Sequence, residues 1–231
     1  MYKVIEVLSS MLFNTSHHYK FPVYFPMDIS KLNLKPISED EVISVFLKGE
    51  INSKRFSLDI LNAIRKLNTS KDILLHPDIT NPKENQLRKG ILEKTRFFLS
   101  RKGLFEGLPD DIRWYRTEYP SISLVNDVKY INYDYWIELT NGSRLPKDAV
   151  GKIRKEQKVF NVSYDNFLEA SEAFKKKKSF DEIIIVSDRT SCVVLEGHLR
   201  LTVYALNKEI LPNKISVIIG ISEHMREWGN F

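Results

Sequence analysis

Along the first hundred residues, apolar positions recur at helical spacing. Ser38 stands ahead of a stripe of Val42, Ile43, Phe46 and Leu47 that runs out near Gly49, which predicts a capped helix. Ser57 precedes a second stripe, Leu58, Leu61, Ile64 and Leu67. A third helix is expected from Asn81 as cap, with Pro82 in its first turn, Glu84 behind it and Gly103 as its stop. Its periodic positions are Leu87, Ile91, Leu92, Phe98 and Leu99. None of these helices displays an evident chemical group, and all three read as scaffold. Ahead of them, residues 13–38 hold Pro22, Pro26 and Pro36 between aromatics, the pattern of an extended lead-in.

The pattern changes after Gly107. Residues 113–139 are rich in Trp, Tyr, Ile and Val, which predicts strands over 121–125 and 130–136. Asn141-Gly142 marks a turn into a helix carrying Leu145, Ala149 and Ile153, and Ser163 caps another that presents Phe167, Ala170 and Phe174. Three nearly continuous apolar runs follow at 182–186, 192–195 and 215–219. Strands of this kind are buried on both faces, as in a sheet covered by helices. A helix over 198–206 separates the last two, and a terminal helix is expected around His224, packed on the rest. The chain therefore reads as α/β, with a mainly helical region over 1–108 packed on an α/β domain over 109–231.

Composition narrows the field only a little. The 231 residues are 42% hydrophobic and 28% charged, ordinary for a soluble globular protein. No apolar run approaches the ~20 residues that span a bilayer, so no membrane partner is expected. The start, residues 1–12, lacks a basic leader and a small-residue cleavage site, which makes the cytoplasm the default compartment. A single cysteine, Cys192, excludes an internal disulfide framework and a cysteine-rich zinc site. His17-His18 has no third ligand nearby and reads as a loop pair. The net charge of +5 permits an anionic partner. Part of it sits in Lys175-Lys176-Lys177-Lys178, read as a solvated helix end, with a DNA-facing patch as the alternative.

Chemistry concentrates in Leu195-Glu196-Gly197-His198-Leu199-Arg200. Glycine between a buried strand and a helix lets backbone approach a ligand, and the helix start offers unpaired N–H groups at the positive end of its dipole. Arg200 in the first turn adds a planar fork suited to phosphate, and His198 is a donor or proton shuttle. Glu196 makes sense beside a phosphate if it holds a magnesium-bound one or accepts a proton. The plainer reading also stands: a simple turn at Gly197, a surface ion pair for Arg200 and a solvated strand end for Glu196. Glu138, at the end of the strand expected over 130–136, would face Glu196 as a second carboxylate or else lie on the surface. The aromatic group Trp114, Tyr115, Tyr119, Tyr133, Tyr135 and Trp136 reads as core and sheet packing.

The run Val193-Val194-Leu195-Glu196-Gly197-His198-Leu199-Arg200-Leu201-Thr202 resembles the second signature box of the ParB/sulfiredoxin superfamily. Glu138-Leu139-Thr140 through Ser143-Arg144-Leu145-Pro146 is similar to the first box. The resemblance covers residues 113–231. It implies a nucleoside triphosphate ligand, ATP or CTP with Mg2+, held by Gly197, His198, Arg200, Thr202 and Arg144, with Glu196 and Glu138 as catalytic groups. The acid–Gly–His–x–Arg order is nearest to kinase-like members, which implies a phosphotransferase or a nucleotide hydrolase. Leu199 stands where those kinases carry a second histidine. The sulfiredoxin cysteine position is His198 here, so reductase chemistry is not expected. The competing expectation is a non-enzymatic module that binds DNA or a protein through its basic surface. With no recognisable helix-turn-helix after the box, nucleic acid binding is expected to be weak.

Overall fold

The computed structural model describes residues 27–177 and 182–231. At its centre is a mixed sheet of six strands: β1 (Lys35–Pro36), β2 (Arg113–Pro120), β3 (Val128–Lys129), β4 (Ile183–Ser187), β5 (Cys192–Glu196) and β6 (Lys214–Ile221). Their spatial order is β1-β2-β6-β4-β5-β3. β4 runs parallel to β6 and antiparallel to β5, while β2 pairs antiparallel with the whole of β6, from Arg113 opposite Ile221 to Pro120 opposite Lys214.

Alternation along the central strands sets the layers. Ile183 and Ile185 point to one face of the sheet, Ile184 and Val186 to the other, and all four are fully buried. The Ile184 face is covered by α1 (Glu39–Ile51), α2 (Ser57–Lys66), α3 (Asp72–Leu75) and α4 (Pro82–Arg96). The opposite face is covered by α5 (Ser121–Asp127), α6 (Asp134–Leu139), α7 (Pro146–Arg154), α8 (Asp165–Lys177) and α9 (His198–Leu206). The protein is thus α/β, and the expectation of strands buried on both faces holds. The helical layer packs its apolar side directly on the sheet, so Phe46, Leu47 and Ile91 share one core with Val193 and Leu195.

Caps fix the helical layer. The Ser38 hydroxyl accepts from Glu41 N–H (3.2 Å), and the Glu41 carboxylate accepts from Ser38 N–H (3.0 Å). Such a cap contributes about 1 kcal/mol. The Asn81 side chain accepts from the N–H groups of Lys83 and Glu84, with Pro82 opening α4 as expected. Arg88 of α4 is fully buried and donates to the carbonyls of Ile73 and Asp78, each at 2.9 Å, thereby pinning the α3–α4 connection.

Several expected elements differ. Residues 121–125 are helix α5, because β2 already ends at Pro120 and Leu124 and Val125 turn inward together. Residues 130–136 are not a strand. Tyr130 and Trp136 stack with ring centroids 4.1 Å apart, whereas six residues of strand would separate them by ~20 Å. Glu138 accordingly lies on helix α6. On α2 the buried stripe is Ile60, Ala63 and Ile64, which leaves Leu58 74% exposed. α4 stops at Phe97, in a left-handed conformation, well before Gly103, and Leu99 is exposed. His224 is exposed beside Glu227, and packing at that end is done by Met225 and Trp228. Tyr133 is exposed too, unlike Tyr119. Pro22, Pro26, His17-His18, residues 1–12 and Lys178 lie outside the described residues. Among the described residues no helix is long and apolar enough to cross a membrane.

Candidate functional site

β5 delivers Glu196 to its C-terminal end, and Gly197 turns the chain into α9 with φ of +102°, a conformation that a side chain strains. No side chain caps the first turn of α9. Arg200 folds back over this turn: a Cβ on Gly197 would lie 3.1 Å from its Nε and 3.2 Å from its Nη2. Its guanidinium pairs with the Glu196 carboxylate, and Arg200 as a whole is only 8% exposed. Glu196 is therefore no solvated strand end, and the ion pair is not a surface one.

The helical layer closes over this junction. A Cβ on Gly49 of α1 would lie 3.0 Å from Glu196 Oε1 and 3.4 Å from Arg200 Nη2, so only a glycine lets α1 approach this near without displacing the pair. The next residue, Glu50, is 7% exposed and faces Arg96 of α4, with Nη1 to Oε1 at 3.2 Å. Its other oxygen, Oε2, has no hydrogen-bond partner. Burial raises the Glu50 pKa, against the opposing pull of the positive charges on Arg96, Arg55 and Arg200. The Arg96 guanidinium lies 4.1 Å from the centre of the Phe56 ring, and Arg55 lies 4.8 Å from it.

His198 opens α9 with its ring stacked on Trp136, centroids 5.2 Å apart, and its Nε2 buried without a partner. Burial, reinforced by the charge of Arg96, brings its pKa down to about 3, so the imidazole is neutral at physiological pH. Thr202 is turned into the core. Its hydroxyl meets the Tyr130 hydroxyl at 2.6 Å and donates to the His198 carbonyl at 2.8 Å. Burial pushes the Tyr130 phenol above its ordinary value.

The two groups expected from the first box sit elsewhere. Glu138 is exposed on α6 and pairs with Lys152 of α7 at 3.5 Å, so Glu138 and Glu196 each have a separate cation. Arg144 has a left-handed backbone, and its guanidinium donates to the carbonyl of Phe231. Burial lowers its pKa. The site residues that the structure gathers are Glu196, Gly197, His198 and Arg200, joined by Gly49, Glu50 and Arg96 from helices that the sequence presents as scaffold. One signal for α1 existed: a glycine inside an amphipathic helix costs about 1 kcal/mol relative to alanine, and Gly49 is such a residue rather than the helix stop.

Among the described residues no group of three or more acidic, histidine or cysteine side chains is placed to hold a metal. Magnesium commonly takes one or two carboxylates and completes its shell from waters and the substrate phosphates. Glu196, at the end of β5, is a carboxylate that could serve in this way. Cys192 lies at the other end of β5, buried beside Tyr119, where burial pushes its thiol pKa up. The chain matches no protein-family model, no curated protein and no solved structure.

Proposed function

We propose that the β5–α9 junction binds the phosphate groups of a nucleoside triphosphate, ATP or CTP, as the likeness to ParB/sulfiredoxin proteins implies. One observation carries this reading: a buried guanidinium is held against Gly197 at the start of a nine-residue helix whose first turn has no side-chain cap. A helix N-terminus is the positive end of its dipole, where a cation is disfavoured and an anion is stabilised. Arg200 placed there gains from a phosphate what the helix start also gains. Gly197 lets the Arg200 guanidinium lie against the helix start, where it supplies a two-pronged donor. Neutral His198 offers one further N–H. Glu196 would hold a magnesium ion that the nucleotide carries. Phosphoryl transfer or hydrolysis belongs to the same proposal, with Glu196 as the group that accepts a proton.

A thermal-unfolding titration with ATP and with CTP, each with and without magnesium, tests the reading. Saturation at a hundred times the dissociation constant stabilises the folded state by ~2.7 kcal/mol. Arg200→Gln is expected to abolish the shift while circular dichroism still reports a folded chain. An equal shift in the variant, or none in the unmodified protein with any nucleotide, overturns it.

A further inference from the structure

The helical layer brings its own charges to the β5–α9 junction, and their arrangement is unfinished. Glu50 is more than nine-tenths withdrawn from solvent, yet its Oε2 has no hydrogen-bond partner. Its Oε1 lies 3.2 Å from Arg96 Nη1, but that nitrogen makes no well-directed hydrogen bond. Arg55 and Arg200 act on the same carboxylate from the loop after α1 and from α9. A buried ion pair contributes to stability only when its geometry is good and its remaining polar atoms are satisfied. The Glu50–Arg96 contact meets neither condition. Arg200 is taken up by Glu196, so the single carboxylate of Glu50 is left to answer the positive charges of Arg96 and Arg55, and its two oxygens cannot satisfy the donors of two planar forks. A chain of phosphate groups can, because each phosphate presents several acceptors at the spacing that arginine forks match.

We infer that Arg96 and Arg55 are ligand-binding residues of the same site as Arg200, that the ligand they select is a polyphosphate rather than a monophosphate, and that Glu50 occupies the place of that anion in the free protein. The inference rests on the phosphate-binding reading of the β5–α9 junction and extends it to the opposite layer. The neighbouring geometry is consistent with such an exchange. Gly49 lets α1 lie against Glu196 and Arg200. In the loop after α1, Lys54 Nζ reaches Glu169 at 2.9 Å and Asn166 at 3.1 Å on α8, in an exposed ion pair. Such a pair is worth little and yields easily. The Phe56 ring, against which both guanidinium groups lie, keeps Arg55 and Arg96 together when Glu50 leaves.

Calorimetric titration with inorganic tripolyphosphate, and in parallel with orthophosphate, tests this on the full chain at constant ionic strength. Four variants are compared with the unmodified protein: Glu50→Gln, Arg96→Gln, Arg55→Gln and Arg200→Gln, each checked for folding by circular dichroism. Arg55 is solvent-exposed, so its variant keeps the test decisive even if Arg96→Gln does not fold. Glu50→Gln is expected to tighten tripolyphosphate binding at least tenfold, Arg96→Gln to weaken it at least tenfold and Arg55→Gln severalfold. Orthophosphate binds more weakly and responds little to Arg55→Gln. If Arg200→Gln abolishes binding while the Glu50, Arg96 and Arg55 variants bind as the unmodified protein does, the inference falls and the junction reading survives. If neither the unmodified protein nor Glu50→Gln binds tripolyphosphate, both fall.

Discussion

Glu196 and Arg200 are paired one helical turn apart across the bend at Gly197, and both side chains are almost wholly withdrawn from solvent. Taking two charges out of water costs several kcal/mol for each ion, and their attraction recovers this only where geometry is good. The pair therefore resists loss of either member far more than it stabilises the fold as a whole. A phosphate bound as proposed would have to compete with this internal carboxylate for Arg200. On the proposed reading, stability and affinity would be coupled at this one contact.

α1 is locked against that pair by the absence of a side chain at Gly49. Gly49→Val places a branched side chain where even a Cβ would lie 3.0 Å from Glu196 Oε1. The expected outcome is a destabilisation of about 1–3 kcal/mol from overpacking, read as a lower midpoint in urea unfolding. Gly49→Ala is expected to be milder, since the gain in helix propensity of about 1 kcal/mol offsets a contact that the end of the Glu196 side chain relieves by moving.

Arg88 behaves as an internal tie of the helical layer. Its guanidinium donates to the carbonyls of Ile73 and Asp78, to the Asn85 side chain, and to Glu84 Oε2 at 3.1 Å. Arg88→Ala leaves Glu84 without this cation and two carbonyls without these donors, and is expected to cost about 3–5 kcal/mol in urea unfolding. Lys at this position restores the charge but not the fork, so the variant Arg88→Lys is expected to recover only part of the loss.

His198 makes the protein sensitive to mild acid. Burial, aided by the charge of Arg96, holds the folded pKa at about 3, below the ordinary 6.5. Between these values the unfolded chain binds a proton that the folded chain does not, so stability falls as pH drops below about 6.5. The contribution approaches ~1.4 kcal/mol per pH unit and is complete near the folded value. Urea unfolding at pH 7 and pH 5, compared between the unmodified protein and His198→Gln, isolates it. The variant is expected to lose less stability than the unmodified protein over that interval, and equal losses would contradict the assignment.

The sequence carried the central strands and the β5–α9 bend clearly, because short runs rich in β-branched residues, such as Ile183–Ser187, suit strands covered on both faces. Caps were equally legible at Ser38 and Asn81, where a side chain and a backbone N–H a few residues away decide the matter locally. The errors have tertiary causes. Aromatic residues 130–136 have strand propensity, but Tyr130 and Trp136 fold together into a stack beside His198 instead of extending an edge. The site itself was half visible. Glu196, Gly197, His198 and Arg200 are contiguous and carry their own signature. Glu50 and Arg96 are ordinary charged residues of amphipathic helices until the fold brings α1 and α4 to the same end of β5. Glu138 would face Glu196 only from a strand, and the helix at 134–139 turns it toward Lys152 instead.

Glu196→Gln separates a structural carboxylate from a chemical one. The amide keeps the shape and can still accept a hydrogen bond from Arg200, but the negative charge that neutralises the guanidinium is gone. In the free protein this leaves a buried cation underpaired, and stability is expected to fall by up to about 3 kcal/mol. A bound phosphate supplies the missing charge, so nucleotide measured without magnesium is expected to bind more tightly to the variant than to the unmodified protein. Magnesium reverses the comparison if Glu196 holds the ion: the cation then improves nucleotide affinity in the unmodified protein and does little in the variant. Turnover, where it is found, is expected to fall by ~10²–10⁴ if the carboxylate accepts the proton of the attacking group. Four dissociation constants, two proteins with and without magnesium, decide the role. Equal magnesium dependence in both proteins, with undiminished turnover, would leave Glu196 as nothing more than the partner that holds Arg200 in place.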